Sequence, residues 1–243
     1  MALQRSGKTL AIIAVALAGT IAYAVPEYLA GRMVKTGALC EGPGQDGKIC
    51  RFIGGPIEMA GTPVFVEKFA HAFLPTTRKI EFVDGFGRTW TAPPKTLTDG
   101  ASIPVILEPI MGDRQSREYL EAAALHDAYC GVGNEGLETY QTVHWEDVHR
   151  MFYEALLVGG TPPLKAKMMF AAVYLGGPRW DDPERSLKDV DEEALKREAK
   201  WCFQWIADTN PSAEEIVAWM TRREAALKAG ENTKPVYPMP SNI

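Results

Sequence analysis

His126 and Asp127 stand side by side in an Ala-rich stretch, with Asp99-Gly100-Ala101-Ser102 ahead of them and Asp147 behind. Three carboxylates and one imidazole can therefore converge. On a helix, adjacent side chains point about 100° apart, so His126 and Asp127 face neighbouring sub-sites and do not serve each other. One sub-site suits a base, the other a cation. An imidazole with an ordinary pKa near ~6.5 is well matched to taking a proton from water at neutral pH. Asp147, offered from a second helix across the small side chains of Ala122 and Ala123, is placed to accept the other ring N–H and fix the tautomer. A Ca²⁺ held by carboxylates would polarise an ester carbonyl and stabilise the oxyanion, and calcium takes oxygen ligands.

Each of these residues also has a plainer role open to it. His126 can be a satisfied core histidine, and Asp99 can form an Asx turn with Gly100. Asp147 can pair with Arg150 or Arg117, and the hydroxyl of Tyr129 can rest on a carboxylate.

The elements that must position these groups follow from periodicity. Residues 78–92 read as a β-hairpin: Lys79-Ile80-Glu81-Phe82-Val83 and Arg88-Thr89-Trp90-Thr91 flank a Gly-containing turn at 84–87, and Pro93-Pro94 ends the second strand. Residues 118–130 form an Ala-rich helix with Ala122, His126 and Tyr129 on one face, stopped by Gly131, Gly133 and Gly136. A second helix over 143–158 aligns Asp147, Met151, Ala155 and Val158, so Asp147 is expected on an apolar face, where a carboxylate needs a partner. After Gly159-Gly160 and Pro162-Pro163 a third helix runs over 165–175. Charged amphipathic helices are expected over 189–206 and 212–229, the second opened by a Ser212-x-x-Glu215 capping box. Before the hairpin, residues 25–77 are rich in Gly and Pro and read as irregular. The last residues, 231–243, read as a loose tail.

The amino terminus bears on the compartment. Arg5 and Lys8 precede an uncharged apolar run over 9–22, and Ala22-Tyr23-Ala24 ends it with small residues. This pattern is that of a signal peptide over 1–24, implying a periplasmic or secreted protein; extension of the run to residue 30 would instead give a membrane anchor. All four cysteines, 40, 50, 130 and 202, lie beyond the cut. In an oxidising compartment they read as two disulfides, Cys40–Cys50 and Cys130–Cys202. An apolar content of 46% suffices for one good-sized core, and a net charge of −5 argues against a nucleic-acid partner and against attraction to anionic lipid. The aromatics Trp201, Phe203, Trp205 and Trp219 can touch a membrane or fill a core.

Other motifs fall away. His144 and His149 are five apart, so they do not share one metal as i,i+4 pairs do, and a zinc peptidase is disfavoured. Residues 42–48 mimic a phosphate loop, but Ile49 replaces the needed hydroxyl. No Gly-x-Ser-x-Gly surrounds Ser102, which is left as a supporting polar group beside Tyr129.

Thr-Asp-Gly-Ala-Ser-Ile-Pro at 98–104, Ala-Ala-x-Leu-His-Asp-x-Tyr at 122–129, Asp147 with Phe152 and Leu156, and Ala171-Ala172-Val173-Tyr174 resemble the phage and bacterial family called domain of unknown function 1353 over about 78–177. That resemblance supplies a grouping without an activity. The same pieces resemble, more loosely, the prokaryotic secreted phospholipases A2, although the cysteine that usually precedes the His-Asp pair there is absent. This second resemblance implies His126 as general base, Asp147 as the residue orienting its ring, and Ca²⁺ on Asp127, Asp99 and backbone carbonyls such as that of Gly100. The expected fold is mainly α with a small hairpin (α+β), a phospholipase A2-like antiparallel helix pair at its core, and the helices of 181–230 attached to a 78–180 core domain. The expected function is calcium-assisted hydrolysis of glycerophospholipid esters on a lipid or envelope substrate. The alternatives are a non-catalytic phage- or envelope-associated structural or interaction protein, and a hydrolase of another envelope polymer such as peptidoglycan.

Overall fold

Alternation of buried and exposed side chains at period two builds more sheet than the sequence reading anticipates. The computed structural model describes residues 38–40, 49–67, 69, 71–100 and 118–236. The signal-peptide segment and Ser102 lie outside them. Among the described residues there are seven strands, β1 (Ala38–Leu39), β2 (Ile49–Ile53), β3 (Val64–Phe65), β4 (Ala72–Pro75), β5 (Ile80–Val83), β6 (Thr89–Ala92) and β7 (Leu97–Thr98). They form a four-stranded sheet in the order β1-β2-β5-β6 and a three-stranded sheet in the order β3-β4-β7, all pairs antiparallel. The fold is thus mixed α/β, with the hairpin as expected but extended beyond β5 by β2 and β1, and 25–77 is not wholly irregular. In β2 the reason is visible residue by residue: Cys50 and Phe52 point inward while Ile49, Arg51 and Ile53 point out.

The hairpin β5/β6 turns one face into the core. Ile80 and Phe82 from one strand and Trp90 and Ala92 from the other are buried, and Phe52 meets Phe82 at a ring separation of 5.1 Å. Its turn is organised by Asp84, whose carboxylate accepts the backbone N–H of Phe86 and Arg88, each at 2.9 Å, while Gly87 takes the positive φ of 81° that a side chain would resist.

Among the described residues five helices follow: α1 (Leu120–Cys130), α2 (Trp145–Gly159), α3 (Pro163–Gly176), α4 (Glu192–Thr209) and α5 (Ala213–Lys228). Their bounds lie within a few residues of those read from periodicity. Pro163 opens α3, where a missing N–H costs nothing, and α5 carries the expected capping box, Ser212 with Glu215. Ala122, Ala124 and Ala128 of α1 are fully buried, and these small side chains let α2 and β6 pack closely on the helix. Within the unit 35–243 the apolar core runs without a break from Cys50 and Phe52 through α1 to α3 and on to Ile216 and Trp219 of α5. The tryptophan Trp219 is core, as is Phe203. No helix among the described residues is long and apolar enough to cross a membrane.

Of the two expected disulfides, Cys40–Cys50 is present and staples β1 to β2 across a sequence separation of 10. The second is not formed: Cys130 and Cys202 are both free and buried. Cys130 is turned to the histidine one helical turn before it, and Cys202 sits in α4, where burial first and then the charge of Glu198 hold its thiol well above the ordinary range. Closing a loop of this size by Cys40–Cys50 stabilises by about 3 kcal/mol in the chain-entropy account. A Cys40→Ser/Cys50→Ser chain should therefore lose roughly 2–3 kcal/mol in non-reducing denaturant titrations.

Candidate functional site

Residues 126 and 130 are one helical turn apart, so His126 and Cys130 project from the same face of α1. The buried side of α2 brings His149 against them. His126 Nε2 lies 3.0 Å from His149 Nδ1, and Cys130 Sγ lies 3.4 Å from His126 Nε2 and 3.7 Å from His126 Nδ1. One ligating atom from each of the three residues falls within 4.8 Å of the others. The two imidazoles are stacked at 5.1 Å. Phe152 covers His126, while Trp145, Tyr174 and Trp180 enclose His149. His149 is fully buried, and the His126 side chain keeps 13% of its surface. The backbone leaves no slack here, since a Cβ at Gly177 would come within 2.8 Å of His149 Nε2.

Electrostatics divides the two histidines. Burial opposes the charged form of His126, but the sulfur of Cys130 and the carboxylate of Asp127 outweigh it, and the group is pushed up to about 10. His149 moves the other way, well below the ordinary histidine value, through burial first and then the positive fields of His126 and Arg179. The backbone of Pro178, which can only accept, favours a proton on His149. Asp127 is itself buried, with Oδ1 at 4.0 Å from His126 Nδ1. Burial raises its carboxyl and the nearby charge of Asp99 adds to the rise, against the pull of His126 and Thr98.

Asp99, whose charge reaches Asp127, is itself paired with Nε2 of His71, next to β4. Gly100 adopts φ +90°; its N–H donates to the Thr98 hydroxyl, which in turn lies within reach of the Gly100 carbonyl. Asn134 locks β7 to α1, accepting the N–H of Leu97 and donating to the carbonyls of Leu97 and Asp127.

The structure does not bring Asp147 to His126. The Asp147 carboxylate, 48% exposed, accepts from Arg88 Nη1 at 2.8 Å and so ties α2 to the hairpin turn. Tyr129 also serves the hairpin: its hydroxyl accepts the backbone N–H of Thr91, and its ring meets Trp90 edge-on at 5.3 Å. The residues that do meet His126 are Cys130 and His149. Their signal was present in the i,i+4 spacing of His126 and Cys130, which the disulfide reading concealed.

The segment that carries all three clustered residues matches a known family. Residues 76–173 match DUF1353, described as a protein of unknown function. Two curated relatives are similar to this chain, both from Sinorhizobium fredii. The uncharacterized protein y4iH is 41% identical over 99 residues, which is 41% of this chain and 38% of that one. The uncharacterized protein y4jT is 34% identical over 116 residues, 48% of this chain and 32% of that one. The chain therefore spans about a third of the length of these relatives. No solved structure matches. The DUF1353 match takes in β5, β6, β7, α1, α2 and most of α3, and leaves His71 and the C-terminal helices outside it.

Proposed function

We propose that this protein is a non-catalytic structural or interaction protein of phage or envelope association, in which the His126, Cys130 and His149 centre joins α1 to α2. The observation that supports this reading is the commitment of both ring nitrogens of His126. Nε2 faces His149 and Cys130, and Nδ1 faces Asp127. A general base needs one nitrogen turned to water and the other held by its orienting carboxylate. Asp147, the carboxylate assigned that role, is engaged with Arg88 instead. The Cys40–Cys50 bridge agrees with export through the 1–24 segment to an oxidising compartment.

One observation favours a second reading, the calcium-assisted lipid-ester hydrolase of phospholipase A2 type. Asp99 and Asp127 are both buried, close enough that one raises the carboxyl of the other, and a cation would relieve that repulsion. The two readings separate in one experiment. Under the structural reading, millimolar Ca²⁺ leaves the melting temperature unchanged, neither phospholipid vesicles nor peptidoglycan is hydrolysed, and His126→Ala costs ~1–3 kcal/mol because its buried polar neighbours lose their partner. A rise in melting temperature with Ca²⁺ that Asp127→Asn removes, together with release of fatty acid that His126→Ala abolishes, would establish the hydrolase and overturn the structural reading.

A further inference from the structure

We infer that His126, Cys130 and His149 form an N₂S site for a thiophilic divalent cation of the zinc class. This deepens the structural reading above by giving the α1–α2 junction an ion, and its test is separate from the test for hydrolysis.

The first argument is geometric. With Zn–N near ~2.05 Å and Zn–S near ~2.3 Å, a tetrahedral site holds two nitrogens about 3.3 Å apart and a nitrogen and sulfur about 3.5 Å apart. The corresponding separations are 3.0 Å for His126 Nε2 to His149 Nδ1 and 3.4 Å for His126 Nε2 to Cys130 Sγ. These two pairs need shifts of a few tenths of an ångström, and the third, His149 with Cys130, lies within 4.8 Å and closes by up to roughly an ångström. The set is also the usual helical one, an i,i+4 pair on one helix completed from a second.

The second argument concerns protons. The outer nitrogen of His126, Nδ1, has the Asp127 carboxylate 4.0 Å away, and the outer nitrogen of His149, Nε2, is buried without a hydrogen-bond partner among the described residues. Ligating histidines are oriented by outer acceptors such as this carboxylate, which place the proton outside and the lone pair inside. A proton on His126 Nε2 bridges the two rings at 3.0 Å, and a cation that displaces it meets both inner lone pairs with a sulfur beside them.

The third argument is charge. A buried dication is costly unless neutralised, and here a Cys130 thiolate and the buried Asp127 carboxylate supply two negative charges at hand. A thiolate with two imidazoles selects zinc-like ions over calcium or magnesium, which take oxygen. Asp99 and Gly100 contribute nothing to this set. Three protein ligands leave one coordination position, and the partly exposed edge of His126 is the side from which water reaches it.

The test uses the full chain, purified with its thiols reduced, stripped with a chelator and titrated with Zn²⁺ and Co²⁺. The expected results are one metal per chain, and for cobalt the intense visible bands of a tetrahedral site with a thiolate-to-cobalt charge-transfer band in the near ultraviolet. Cys130→Ser should abolish the charge-transfer band, and His149→Gln should lose most of the affinity. Asp127→Asn, which acts through His126, should weaken binding by ~10–100-fold. Cys202→Ala and Asp147→Asn should leave the spectrum as it is. Because His149→Gln can unfold the chain, circular dichroism accompanies each titration, and Cys130→Ser alone decides the ligand assignment if His149→Gln does not fold. A folded, reduced wild type that takes up neither metal overturns the site, as does a cobalt spectrum that Cys130→Ser leaves unchanged. Metal uptake with hydrolysis of vesicles or peptidoglycan keeps the site and overturns the structural reading; no uptake and no hydrolysis does the reverse.

Discussion

Glu224→Ala is expected to lower the unfolding free energy by about 3–5 kcal/mol, the cost of leaving a buried charge without its counter-ion. The Arg179 side chain is 1% exposed and donates from Nη1 to Glu224 Oε1 at 2.7 Å. Arg185 bonds the same carboxylate through Nε at 3.0 Å and Nη2 at 2.8 Å. One glutamate on α5 therefore separates two guanidinium groups from the segment after α3. Burial lowers the pKa of Arg179, and Glu224 is the main group opposing that effect. Without it, Arg179 keeps the carbonyls of Arg185 and Tyr174 and the ring faces of Trp145 and Tyr174 but no counter-ion, while Arg185 retains Glu146. Urea titration with an unchanged slope gives the loss directly. Glu224→Gln keeps the shape and one acceptor and should cost less than the alanine variant. A loss below ~1 kcal/mol for Glu224→Ala would mean that the pair is worth no more than a surface contact and that α5 is held by apolar packing alone.

This network also explains what the sequence could and could not tell. The helices were legible because period 3.6, proline and glycine stops and the Ser212 capping box all agree locally. The partner of His126 was not. Reading α2 by its apolar residues places Asp147 in line with Met151, Ala155 and Val158, yet α2 is buried over most of its circumference, including Trp145, Val148, His149, Phe152, Tyr153 and Glu154. When apolar residues nearly surround a helix, their alignment no longer picks out a face. The exposed arc is marked by the polar positions, and Asp147 lies on it beside Arg88. In sequence the histidine nearest to His149 is His144, whereas its neighbour in space, His126, comes from another helix. His144 bonds Asp181 instead.

The cysteines carry the same lesson. An even count suggests pairs, and the local pair Cys40–Cys50 is bridged because β1 and β2 lie in register with Ala38 opposite Cys50. Nothing local distinguishes a distant disulfide from a thiol that belongs to its own helix face. For Cys130 the decisive clue was His126 one turn earlier. The short strands between 49 and 75 were hidden for a different reason: the three of them span only two to five residues each, and the Gly and Pro between them dominate any composition window.

Trp90→Ala is expected to cost about 3–5 kcal/mol, the range for deleting a large aromatic from a packed interior. Trp90 is 2% exposed on β6, with its ring against Tyr129 of α1 and the Arg88 guanidinium 5.1 Å above it. Its indole N–H donates to Asp84 Oδ2 at 2.9 Å, so the same residue fills the core and closes the hairpin turn. Two contributions can be separated. Trp90→Phe keeps most of the ring but leaves Asp84 Oδ2, in a buried carboxylate, without its indole donor, and should cost about 1–3 kcal/mol by that loss. Trp90→Ala adds the cavity and removes the surface on which Tyr129 rests. Because Tyr129 and His126 share the short helix α1, loosening this end should also raise hydrogen exchange at the amides of residues 126–130. If Trp90→Ala costs under ~1 kcal/mol and exchange in α1 is unchanged, the hairpin is an appendage, and α1 is positioned by α2 and α3 alone.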